Sequence, residues 1–110
     1  MLQALFPPNE AEALGNDAVA ISMATIENHF FINGGFFDNE RQLLDGISKI
    51  RHIPCTIVQG RYDVVCPTAT AWEVHREWPE AKLVIVQDSG HTKGEPGTIH
   101  ELIRATNEYA

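Results

Sequence analysis

The sequence predicts an α/β fold built on a parallel sheet. Two short apolar runs, Cys55–Gln59 and Lys82–Val86, are separated by a stretch with helical spacing. Continuous apolar runs of this length suit parallel strands covered on both faces. The predicted order is helix, helix, strand, helix, strand, helix, and a strand–helix–strand piece implies a right-handed parallel crossover. Two strands with their helices rarely stand alone, so the pattern reads as the last part of a larger α/β domain.

The elements follow in order. Pro7-Pro8 marks an extended opening. Asp17 is placed to cap a helix reaching about Phe31, with Val19, Ile21, Ile26 and Phe30 among its apolar residues. Asn33-Gly34-Gly35 ends it, because asparagine and glycine tolerate positive φ at a helix C-terminus. Asp38 is the expected N-cap of a second helix carrying the stripe Leu43, Leu44, Ile47 and Ile50.

Pro54 suits the start of a strand, where a missing donor is tolerated. Pro67 opens the next helix, which carries Ala71, Trp72, Val74 and His75 and ends near Trp78-Pro79. The second strand, Lys82–Val86, leads to a last helix opened by a Thr98…Glu101 capping box, with Ile99, Leu102, Ile103, Thr106 and Tyr109 on one face.

Composition narrows the function. A hydrophobic content of 44% supports a packed core, and a net charge of −7 speaks against a nucleic-acid surface. No apolar run reaches membrane-spanning length, and the N-terminus lacks the basic flank and apolar core of a signal peptide. Two cysteines, Cys55 and Cys66, fit no metal-ligand spacing, and a reducing cytoplasm is the expected compartment. No His-x-His or His-x-x-x-His pair occurs, so neither a metal nor a cofactor is expected.

The chemistry gathers at the two strand ends. Asp63 follows Gly60-Arg61-Tyr62 after the first strand, and His91 follows Ser89-Gly90 after the second, 28 residues further on. Residues at the carboxyl ends of adjacent parallel strands share one edge of the sheet, where ligands bind. Taken alone, Asp63 is a turn or helix cap and His91 a loop histidine. Together they match the Asp…His half of a Ser…Asp…His triad in α/β-hydrolase order. The carboxylate would hold the imidazole in one tautomer, and Gly90 would allow the sharp turn that exposes the ring. No Gly-x-Ser-x-Gly motif for the nucleophile is present. Ser89 lacks the strand–elbow–helix setting and reads as a turn residue. Cys66 is expected beside the site as a small buried apolar residue.

Several segments carry a family resemblance: Ile26-Glu-Asn-His-Phe-Phe-Ile-Asn-Gly-Gly-Phe36, Ile50-Arg-His-Ile-Pro54, Gln59-Gly-Arg-Tyr-Asp-Val-Val-Cys-Pro67, and Gly90-His91 with Glu95-Pro-Gly97. Together they closely resemble the C-terminal part of the proline iminopeptidases, or prolyl aminopeptidases, of the α/β-hydrolase fold. The match runs from about Ala18 onward. Thr92-Lys93-Gly94 departs from the small and apolar residues of that family.

The resemblance implies a serine hydrolase that removes N-terminal proline from peptides, with residues 1–37 ending a helical cap and 38–110 forming the C-terminal portion of the hydrolase core. It assigns Asp63 and His91 to the triad and gives Glu27 the task of binding the substrate's free α-amino group. A desolvated carboxylate suits that task, since it distinguishes a charged amine from an internal amide. Without the nucleophile, the chain alone is expected to be inactive. Two other readings stay open: an esterase or epoxide hydrolase using Asp63 and His91 but not Glu27, and a non-catalytic fragment docking through an exposed edge at Cys55–Gln59.

Overall fold

The computed structural model describes residues 17–110, and the expectation for Pro7-Pro8 lies outside them. Among the described residues, the chain divides between Leu43 and Leu44 into two compact units.

The first unit is dominated by helix α1 (Asp17–Ile32). Within it, Ser22 and Thr25 donate their hydroxyls back to the carbonyls of Ala18 and Ile21 at 2.8 and 2.7 Å. Asn33 ends the helix as expected, its Nδ2 donating to His29 O at 2.8 Å. Gly34 and Gly35 follow with φ of 57° and 65°, and Phe36 is drawn into the same left-handed turn at 61°, an uncommon place for a bulky residue. Its ring packs against His29 and Phe30, with centroids 5.3 and 5.5 Å apart.

The second helix is shorter than its stripe suggests. Helix α2 spans only Gln42–Gly46 and tightens into a 3-10 turn at Ile47–Lys49. Asp38 is not its cap: the Asp38 N–H donates to Gln42 Oε1 at 2.6 Å, and Asn39 Oδ1 accepts from Arg41 N. Of the four stripe residues, Ile47 is buried and Leu44 half-buried, while Leu43 and Ile50 stay exposed.

In the second unit, strands β1 (Thr56–Gly60) and β2 (Lys82–Val86) pair in parallel, from Thr56 opposite Lys82 to Gly60 opposite Val86. Helix α3 (Thr68–Glu77) connects them, and α4 (Pro96–Glu108) follows β2. Ile57 packs with Val74 of α3 around a small core of Ile47, Trp78 and Ala81. Its neighbour Thr56 bonds instead through Oγ1 to the Tyr109 hydroxyl just beyond α4, at 2.8 Å. Successive strand residues point to opposite faces, so α3 and α4 cover opposite faces of the sheet. Lys82, beside Thr56 in register, reinforces the α4 side through Glu108 at 3.0 Å.

The last helix begins earlier than the capping box predicts. Pro96 occupies its first turn after Glu95, so Thr98 lies inside the helix, buried, with its hydroxyl unpartnered. Proline is pre-organised for that first position and overrides the Thr98…Glu101 pattern. Ile99, Leu102 and Ile103 of α4 are exposed. Among the described residues, no helix is long and apolar enough to cross a membrane.

Candidate active site

Both strands leave the sheet at the same edge, and their exits are laced together. Arg61 N donates to Val86 O at 2.9 Å and Tyr62 N to Ser89 O at 3.0 Å. The approach is close enough that Gly60 has no room for a side chain. A Cβ there would overlap the Gly90 carbonyl oxygen and sit 2.9 Å from Ser89 O. The glycine this edge requires is therefore Gly60, for space. Gly90, expected to supply a sharp turn, does not adopt positive φ.

Asp63 is set by its own turn. Its Oδ1 accepts hydrogen bonds from Val65 N at 3.0 Å and Cys66 N at 2.7 Å, so the carboxylate closes the loop between β1 and α3. The turn-capping role and the dyad role thus coexist in one side chain, for His91 Nδ1 also lies 3.1 Å from Oδ1 and 3.0 Å from Oδ2. The carboxylate side chain is 8% exposed and the imidazole 31%. Burial is the largest single influence on the Asp63 carboxyl and opposes its charge. The Cys66 N–H, the His91 ring and the Val65 N–H together outweigh it and hold the group below the ordinary carboxylate range. An ionised carboxylate only accepts, so Nδ1 carries the proton, and in the neutral ring the lone pair is on Nε2. That is the tautomer of a general base.

The loop bearing His91 is fixed from behind by Glu95. This residue is only 3% exposed, and its Oε2 accepts from Gly90 N at 2.7 Å, while its own N–H donates to Thr92 O at 3.4 Å. Gly94 N donates to Thr92 Oγ1 at 3.2 Å. Residues 90–95 therefore form a short closed loop ending at the α4 N-terminus. Sequence reasoning noted Glu95 only as part of a motif; an acidic residue directly before a helix-opening proline was the local signal for its position.

Two neighbours differ from expectation. Cys66 is beside the site but exposed. Ser89 is wholly buried, its hydroxyl unpartnered and close to Gly97, in no position resembling a nucleophile elbow. Glu27 lies on α1, exposed, in the first unit.

The profile of the family described as TAP-like protein, one of the α/β-hydrolase families, matches residues 38–105. The chain is 48% identical over 110 residues to the "Proline iminopeptidase" of Arabidopsis thaliana, covering 98% of this chain and 29% of that protein. It is 52% identical over 91 residues to the "Proline iminopeptidase" of Xanthomonas citri, covering 83% of this chain and 29% of the relative. Against the "Probable proline iminopeptidase" of Leptolyngbya boryana it is 46% identical over 102 residues, covering 93% and 32%. The chain thus spans less than a third of the length of these relatives.

Proposed function

Because this chain belongs to the α/β-hydrolase family described as TAP-like protein, we propose that it carries the general base and orienting carboxylate of an aminopeptidase releasing N-terminal proline from peptides. The observation that carries the reading is the His91 Nδ1–Asp63 pair at 3.0 Å, with Asp63 anchored by two backbone N–H groups. The names of the relatives support the substrate class.

In this mechanism a serine outside these 110 residues attacks the carbonyl of the N-terminal proline. His91 Nε2 takes the hydroxyl proton as the bond forms and returns it to the departing amine. A water then repeats the attack on the acyl-enzyme, again through Nε2. Asp63 keeps the Nδ1–H in place and stabilises the imidazolium in each half-reaction. Glu27 holds the proline's protonated amine by a charge-assisted hydrogen bond, as the family resemblance implies. Residues 1–37 serve as the end of a cap and 38–110 as hydrolase core. Two free thiols, Cys55 and Cys66, suit a reducing cytoplasm.

The test is a hybrid enzyme in which this chain replaces the segment it matches in the Arabidopsis relative. The hybrid should hydrolyse a prolyl chromogenic amide, and the 110-residue chain by itself should not, as it contains no Gly-x-Ser-x-Gly. Asp63→Asn should inverts the favoured tautomer and lower kcat by about 10⁴-fold, the scale seen when a triad aspartate becomes asparagine. Undiminished turnover in folded Asp63→Asn and His91→Ala hybrids would refute the assignment.

A further inference from the structure

The thiol of Cys66 has no part in the dyad, yet it lies close to it. One ligating atom each from Asp63, Cys66 and His91 lie within 4.8 Å of one another. The thiol is free and exposed, and the imidazole is partly open to solvent. From these facts we propose that Asp63, Cys66 and His91 form a binding site for a thiophilic divalent cation of the Zn²⁺ type, whose occupancy switches the base off. The site's geometry stands by itself; its inhibitory consequence rests on the catalytic reading above.

The donor set is one nitrogen, one sulfur and one carboxylate oxygen, the combination Zn²⁺ accepts, with a fourth tetrahedral position left for water. Tetrahedral bonds of about 2.0–2.3 Å place ligand atoms roughly 3.3–3.7 Å apart. The Asp63–His91 pair at 3.0 Å would open slightly, and rotation of the exposed Cys66 side chain would bring the sulfur inward. Asp63 Oδ1 is held by Val65 and Cys66 backbone N–H groups, so Oδ2 is the oxygen available to the metal. Binding releases one proton, from the thiol. The site then balances the cation's two positive charges with one thiolate and one carboxylate.

The consequence for catalysis follows from the ring. A metal on Nδ1 displaces the proton that Asp63 holds there, and the neutral imidazole then carries its proton on Nε2. The atom that should accept the serine proton becomes a donor, while Asp63 is taken as a ligand. A single ion therefore removes both functions of the pair. Sequence spacing concealed the site, because its ligands lie at positions 63, 66 and 91 and meet only through the parallel pairing of β1 and β2.

The experiment uses the hybrid enzyme in chelator-free buffer. Zn²⁺ should suppress turnover reversibly, with EDTA restoring it. Cys66→Ala keeps the backbone N–H that supports Asp63, and its response to Zn²⁺ is measured relative to its own metal-free turnover. Its half-inhibiting Zn²⁺ concentration should rise by at least the roughly 10–100-fold that losing even an outer-shell partner costs. Co²⁺ gives a readout independent of activity: a near-ultraviolet thiolate-to-cobalt band in the parent hybrid, absent in Cys66→Ala and weakened in His91→Ala, with circular dichroism confirming that each variant is folded. If the hybrid lacks turnover altogether, the aminopeptidase reading fails while the cobalt band still decides the metal site. Absence of a Cys66-dependent band, or equal Zn²⁺ sensitivity in Cys66→Ala, overturns the proposal.

Discussion

Replacing Gly60 by alanine tests whether the strand edge positions the dyad. The added Cβ would overlap the Gly90 carbonyl oxygen and meet Ser89 O at 2.9 Å and Gly90 C at 3.0 Å. All three are backbone atoms, so no side chain can swing aside. The strand exits must separate, and the bonds that lace them, Arg61 N to Val86 O and Tyr62 N to Ser89 O, lengthen or break. Overpacking of this kind costs about 1–3 kcal/mol, and each lost backbone hydrogen bond adds about 1 kcal/mol. Asp63 lies three residues beyond Gly60 and His91 directly follows Gly90, so the separation acts on the Nδ1–carboxylate contact itself. A displacement on the order of 1 Å between catalytic groups costs about 10²-fold in rate. In the hybrid enzyme, Gly60→Ala should therefore lower both the thermal midpoint and kcat for a prolyl amide. The kcat loss should persist well below the new midpoint, where the variant is folded. Unchanged turnover together with an unchanged midpoint would show that the edge relaxes freely and that its tight approach does not set the dyad.

Three further outcomes can be checked in the same protein. Glu95→Ala leaves the buried Gly90 N–H without its acceptor and should destabilise by about 1–3 kcal/mol in denaturant unfolding; Glu95→Gln keeps an oxygen there and should cost less, so equal losses would deny the bond its role. The depressed pKa of Asp63 contributes stability that is present above its unfolded value, near roughly pH 4, and is lost as pH falls through the folded value. The thermal-midpoint advantage over Asp63→Asn should accordingly shrink on acidification below about pH 4, and a gap undiminished into stronger acid would refute the linkage. Glu27→Gln should lower kcat/KM for prolyl amides by about one to two orders of magnitude, from a charge-assisted contact of roughly 1.5–3 kcal/mol, while hydrolysis of an ester lacking an amine stays near normal; equal losses would make Glu27 a structural residue.

What the sequence disclosed depended on whether the relevant physics was local. The run Lys82–Val86 gave its strand bounds directly, and the first strand was displaced by one residue, from Cys55–Gln59 to Thr56–Gly60. The meeting of Asp63 and His91 was also legible, because a parallel β–α–β unit returns both loops to one edge. The misread features are those set by a partner distant in sequence or by competition between neighbours. Proline at position 96 starts α4 before Thr98 can cap it. Gly60 is required by the Gly90 carbonyl, which no local pattern around Gly60 reveals. Cys66 looked like a core residue by type, but it sits in the turn that Asp63 closes and is exposed.

The two members of the pair are held in different ways, and this bears on how the base is readied. Asp63 is fixed by bonds within its own turn, only two and three residues away, so the carboxylate is oriented as soon as β1 and its exit loop form. His91 depends on a longer loop braced by Glu95 and remains the more exposed partner. The entropy of orienting the carboxylate is thus spent during folding, before any substrate arrives. The ring needs only to keep its Nδ1–H on an acceptor that does not move. In the proposed mechanism this division suits a base that serves first the nucleophile and then the leaving group while the ring stays oriented by one carboxylate. It also explains why the turn-capping and catalytic readings of Asp63 are not rivals: the bonds that make it a cap are the bonds that hold it still for His91.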